Sequence, residues 1–97
     1  MTITKTSNES ALVIALEGRL DTTTAPMLEA ELKESLEGVT DLTLDFEKLD
    51  YISSAGLRVL LSSQKKMFGK SMKIANARPA VKEVFDITGF SDIFTFA

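Results

Sequence analysis

Cysteine, histidine and tryptophan are all absent from this chain. Without cysteine there is no disulfide framework and no thiolate ligand. Without histidine the commonest general base and the commonest transition-metal ligand are gone as well. Most hydrolytic, redox and metal-dependent chemistries are thereby excluded, so no catalytic residue, no metal ligand and no cofactor is expected. Long apolar runs are also missing. No window approaches the ~18 consecutive apolar residues of a membrane span, and Met1 to Ser10 lacks the apolar core of a secretory signal. No membrane insertion is expected, and the expected compartment is the cytoplasm. Nor is there a basic excess: 11 Lys and Arg stand against 14 Asp and Glu, a net charge of -3. Lys65, Lys66, Lys70 and Lys73 are too few to neutralise a run of phosphates, which removes nucleic acid from the expected partners.

What remains is an ordinary globular composition, 44% hydrophobic and 26% charged. A chain of 97 residues has room for one domain, expected to span residues 1–97, with a modest core. Leu12, Ile14 and Leu16 alternate with smaller neighbours over Ala11 to Glu17, which predicts a strand ended by Gly18. Ala25, Leu28, Leu32 and Leu36 recur at helical spacing, with Pro26 in the first turn and Gly38 after the last. Leu42, Leu44 and Phe46 predict a second strand, followed by a turn over Glu47 to Asp50 and a short Tyr51-Ile52 segment. A second helix starts at Ser53 or Ser54, places Leu57, Leu60, Leu61, Gln64 and Phe68 on one face, and stops at Gly69. Met72 and Ile74 read as a strand. Pro79 opens a third helix with Val81, Val84, Phe85 and Thr88 on one face and Gly89 at its end, and Ile93 to Phe96 reads as a last edge strand. Met27, Met67 and Met72 are expected to fill the core.

Strands alternating with helices imply crossover connections and a largely parallel sheet. The expected fold class is therefore α/β, a single domain with a mixed, mostly parallel sheet. Because the strands alternate rather than running continuously apolar, the helices are expected mainly on one face.

The segment Asp50-Tyr-Ile-Ser-Ser-Ala-Gly-Leu-Arg-Val-Leu-Leu61 concentrates the candidate chemistry. Two hydroxyls stand where a strand passes into an amphipathic helix. One serine suits an N-cap, its oxygen accepting from an orphan backbone N–H, while Gly56 permits a close approach. A helix N-terminus also stabilises a phosphate, so a serine exposed there can be phosphorylated without breaking the fold. Both roles coexist when Ser53 caps and Ser54 points outward. A nucleophile elbow is excluded because Ile52-Ser-Ser-Ala-Gly56 lacks both Gly-x-Ser-x-Gly and a histidine base. A phosphate-cradling loop is excluded because Gly56 stands alone, with no Gly-Lys-Ser/Thr after a glycine-rich run. Asp21, Asp41, Asp45, Glu47 and Asp50 lie near strand ends, where acidic residues serve as caps and solvated charges rather than as a magnesium site.

Gly18-Arg-Leu-Asp21, Leu44-Asp-Phe46, Tyr51 to Leu61 and Pro79-Ala-Val-Lys-Glu-Val-Phe-Asp-Ile-Thr-Gly-Phe90 together resemble the STAS family of anti-sigma factor antagonists, in the right order and over nearly the whole chain. The resemblance implies a STAS-like fold and a non-enzymatic binding switch. Its partners would be an anti-sigma factor that is itself a serine kinase, with ATP held by the kinase, and a serine phosphatase that resets the switch. It implies phosphorylation at Ser54, two positions before Gly56, with Asp21 beside it. The implied partner-binding set is Asp21, Thr22, Thr23, Ser53, Ser54, Gly56 and Arg58. Two positions depart from the best-known members: Ser53 stands where they carry aspartate, and Ala55 where they carry a hydroxyl residue. Related domains act as constitutive adaptor subunits of membrane lipid-transport complexes or as tails of anion transporters, and the adaptor is the alternative reading here.

Overall fold

A computed structural model describes residues 1–97. Four strands and three helices follow one another as β1 (Thr2–Asn8), β2 (Ala11–Leu20), α1 (Ala25–Ser35), β3 (Asp41–Ile52), α2 (Ser54–Lys66), β4 (Ser71–Ala75) and α3 (Pro79–Thr88). They build one sheet in the order β1-β2-β3-β4, antiparallel between β1 and β2 and parallel thereafter. The mixed, mostly parallel sheet expected from the alternation of elements is the one observed.

The period-two pattern decides which face is covered. Leu12, Ile14, Leu16 and Leu20 of β2 and Leu42, Leu44, Phe46, Leu49 and Ile52 of β3 are buried and point to the helices. The alternates Val13, Glu17, Thr43 and Asp45 remain on the other, uncovered face. Leu28 and Leu32 of α1, Leu57 and Leu60 of α2, and Val81 and Phe85 of α3 close over the apolar side, giving a single cluster of 23 buried residues. α1 and α2 are the crossovers β2-α1-β3 and β3-α2-β4, which right-handedness places on one side. Lys5 of β1 reaches Glu31 of α1 at 2.8 Å and ties the edge strand to this layer.

Expectations are corrected on four counts, some of them touching more than one element. No element was expected at the N-terminus, yet Thr2–Asn8 is an edge strand paired from Thr2↔Glu17 to Asn8↔Ala11. Only Met1 and Ile3 pack against the core there, so β1 has no alternating apolar signal. The hairpin turns through Glu9 at φ 57 with no glycine to mark it. The segment Glu47 to Asp50 is not a turn but the middle of a 12-residue β3. Register shifts between Ala15 and Glu17 and between Gly18 and Arg19 absorb the extra residues, and Leu49 still points inward. For the same reason β2 does not end at Gly18; that glycine takes φ 105 inside the strand, beside one of the bulges.

The third correction concerns α2, which stops at Lys66. Phe68 falls beyond it and is 91% exposed, while Met27 is half exposed rather than core. The fourth concerns the tail, which makes one parallel bridge, Ile74↔Phe96, instead of a full strand. It is nonetheless anchored: the rings of Phe94 and Phe96 meet Phe85 edge to face at 5.5 and 5.2 Å.

Two phenylalanines separate core from surface. Phe46→Ala is expected to cost about 3–5 kcal/mol, whereas Phe68→Ser should stay within about 0.5 kcal/mol of the parent. Urea unfolding of both variants checks this, and comparable losses would contradict the outward placement of Phe68.

Candidate functional site

β2 and β3 end together, with Leu20 paired to Ile52. One residue later the Ser53 N–H donates to the Leu20 carbonyl at 2.9 Å, so the chain enters α2 held against the end of β2. Ser53 is extended, φ -103 and ψ 175, which aims its hydroxyl back at the helix; its Oγ accepts from the Gly56 N–H at 3.4 Å, a long cap bond. The Leu57 N–H donates to the Ser53 carbonyl at 3.0 Å and starts the helical ladder. Of the two serines, Ser53 is the cap and Ser54 is the exposed first residue of the helix.

Gly56 does not belong to the exposed surface. A Cβ there would lie 2.7 Å from Leu20 Cγ and 3.0 Å from Ile52 Cγ1, inside any normal contact distance. Gly56 is buried in the first turn of α2, and the neighbours it meets are the apolar side chains of Leu20 and Ile52. Leu57, Val59 and Leu60 continue the buried face, so the first turns of α2 are fixed from below.

Asp21 follows Leu20 directly. Its Oδ1 accepts from the backbone N–H of Thr23 at 3.0 Å and of Thr24 at 3.1 Å. Its own N–H donates to Thr24 Oγ1 at 2.8 Å, and that hydroxyl donates to the Arg19 carbonyl at 2.7 Å. The Thr24 N–H above all, then the Thr23 N–H, the Thr24 hydroxyl and the Arg19 guanidinium at 3.6 Å, hold the Asp21 carboxyl below the usual carboxylate range. Thr23 is thus a backbone donor to Asp21 with an exposed side chain. Arg19 also lies over the Tyr51 ring, 4.2 Å from its centroid.

Two hollows flank α2 at this end. One, about 230 Å³, runs between α2 and the segment after α3 and is lined by Ser54, Leu57, Arg58, Leu61, Thr88 and Phe90. The other, about 250 Å³, lies between α1 and α2 and includes Thr22, Glu29, Ala55 and Arg58. Arg58 stands on the ridge between them. Together they gather Thr22, Ser54 and Arg58, while the Ser53–Leu20 hydrogen bond brings the Asp21 turn alongside. The roomiest hollow, about 290 Å³, lies on the uncovered sheet face around Thr4, Glu17 and Asp45, and holds none of these residues.

Sequence reasoning missed Glu29, Thr88, Phe90, Arg19 and Tyr51 as neighbours of the site. Phe90 ends one of the motifs and Thr88 lies on the expected face of the third helix, so only their meeting with α2 was hidden. The Arg19–Tyr51 stack depends on a register set by the β2–β3 bulges, which has no sequence signal. Asp50, on the other side, is engaged by Arg78, whose Nε donates to the Glu47 carbonyl at 2.8 Å.

Sheet order, one-sided helices and the capped strand-to-helix junction define a small α/β domain. The STAS domain model matches residues 2–97, and the chain belongs to that family. It is 38% identical to a Bordetella bronchiseptica protein provisionally named anti-sigma factor antagonist BtrV, across 100% of this chain and 86% of that one. It is 33% identical to the anti-sigma-B factor antagonist of Bacillus subtilis, across 89% of this chain and 81% of that one. Its fold matches that of the anti-sigma factor antagonist SpoIIAA in its unphosphorylated form, with a TM-score of 0.85, 22% identity and coverage of 99% and 88% of the two chains.

Two outcomes test this geometry. Gly56→Ala, which pushes a methyl into Leu20 and Ile52, is expected to cost about 1–3 kcal/mol, and Ser53→Ala about 0.5–2 kcal/mol. Thermal or urea unfolding reads both; a neutral Gly56→Ala would rule out the close approach.

The Asp21 carboxyl titrates lower folded than unfolded, so its contribution to stability is complete above the unfolded value of about 3.9 and is lost as pH falls through the depressed folded value. Asp21→Asn should therefore flatten the acid limb of the stability–pH curve while leaving its alkaline side unchanged. Urea midpoints between neutral and strongly acid pH measure the limb, and identical limbs for variant and parent would refute the assignment.

Proposed function

We propose that this chain is an anti-sigma factor antagonist controlled by phosphorylation of Ser54. Unphosphorylated, it binds in the cytoplasm to an anti-sigma factor that is itself a serine kinase, and the sigma factor is released. The kinase transfers a phosphoryl group from its own ATP to the Ser54 hydroxyl, binding is lost, and a serine phosphatase restores the starting state. The observation that carries this reading is the division of labour at the α2 N-terminus. Ser53 satisfies the helix, which leaves Ser54 exposed and free to react at the mouth of an apolar groove. The names of the two relatives support it.

The docking surface in this reading comprises Asp21, Thr22, Thr23, Ser53, Ser54 and Arg58, with Gly56 acting beneath it. Asp21 holds the turn that presents Thr22 and Thr23. Leu57, Leu61 and Phe90 supply an apolar floor beside Ser54. No helix is long and apolar enough to cross a membrane.

Phosphorylation adds about -1.5 to -2 charges at a point the kinase active site must approach closely. Against the nucleotide phosphates left in that site, like charges across a desolvated contact cost several kcal/mol. A loss of ~2.7 kcal/mol is already a hundredfold in affinity. Ser54→Ala should bind the kinase as the parent does and act as permanently on; Ser54→Asp should bind at least a hundredfold more weakly. Titration calorimetry of both against the purified anti-sigma factor decides the matter. Equal affinities would replace the switch with a constitutive adaptor.

A further inference from the structure

The ion pairs of the molecule are Lys5–Glu31, Arg19–Asp21 and Arg78–Asp50, and Arg58 takes part in none of them. It is exposed and lines the same groove as Ser54, one helical turn further along α2. Residues at i and i+4 have Cβ atoms about 5–6 Å apart, and an acidic group N-terminal to a basic one is the favoured order. Helical side chains also lean toward the N-terminus, a direction that brings the guanidinium of Arg58 within reach of the turn that starts with Ser54. The first turn of α2 has no acidic residue. A cation is therefore held near the positive end of a helix dipole, where only an anion would make it favourable.

Resting on the reading of Ser54 as the phosphoacceptor, we infer that Arg58 is an internal clamp for the Ser54 phosphate. In the unmodified chain Arg58 is exposed and unpaired, with Glu29 lining the same α1–α2 hollow, and is available to a partner. Once Ser54 is phosphorylated, the planar fork of Arg58 turns into the α2–α3 groove and donates two hydrogen bonds to the phosphate oxygens. The modification then acts twice, adding negative charge and withdrawing a cation from the docking surface. The other charged groups around this end of α2 are Asp21 and Arg19, already paired with each other, and Glu29; Thr88 and Phe90, which close the groove from the α3 side, are uncharged.

The test installs phosphoserine at position 54 during translation, so that no kinase is needed, and follows the phosphate by ³¹P NMR as pH is varied. A clamped phosphate loses its second proton more easily. The titration midpoint of the parent should lie about 0.3 pH unit or more below that of Arg58→Gln. Arg58→Lys, which keeps the charge without the fork, should fall between them. Coincident midpoints for parent and Arg58→Gln overturn the clamp. Failure of the host kinase to modify Ser54 would instead overturn the proposed function, and the titration would still report on the clamp.

Discussion

The missing side chain at Gly56 is the constraint on which the site depends. With any Cβ there, the first turn of α2 would collide with Leu20 and Ile52, the last residues of two neighbouring strands. Because glycine allows the contact, the helix starts directly on the strand ends, and the Ser53 N–H reaches the Leu20 carbonyl. That hydrogen bond places Asp21 and Ser53, far apart in sequence, on either side of one joint. The direction in which Ser54 leaves the surface is thus set by core packing, not by a loop.

The same joint sorts the charges. Asp21 spends its carboxylate on two backbone N–H groups and on Arg19, and Arg19 is stacked on Tyr51. Asp50 is held by Arg78 near the bulged part of β3. These groups stiffen the strand ends and have little left to offer a ligand. Arg58 is the cation at this end whose hydrogen-bonding capacity is unused, although it stands on a ridge between two hollows. With rigid neighbours and one uncommitted cation, such a surface would answer the proposed anion with a side-chain movement only.

Most of this was legible in the residues. The alternation in β2 and the first half of β3, the helical spacings, Pro26, Pro79 and the glycines beyond each helix located six of the seven elements. The serine pair at a helix start located the candidate site. What failed shares one physical cause. β1 is held by backbone pairing with few buried side chains, so its Thr-rich sequence carries no period. The second half of β3 breaks period two because bulges change the register, and Glu47 to Asp50 looked like a turn. Phe68 continued the apolar stripe of α2 by count, but the helix had already ended. Periodicity reports burial in regular structure, and it is silent where the backbone pairs without burying anything or where the regularity stops.

Where the joint is this firm, a phosphate at Ser54 has little conformational work available to it. Leu57 and Leu60 are only 1% and 0% exposed, and a displacement of α2 would strip them from the core, at a cost comparable to deleting them. A dianion at an exposed helix start contributes on the order of 0.3 to 1 kcal/mol through the dipole. That is too little to lift a helix anchored by several residues of this kind, and its sign is favourable to the helix in any case. A chain phosphorylated at Ser54, as proposed, would therefore keep the backbone of the unmodified one. In the proposed switch, whatever a partner distinguishes between them would be written in charge and in the position of a few surface side chains, for which an exposed serine following a capping one, beside an unpaired arginine, would be sufficient machinery in so small a domain.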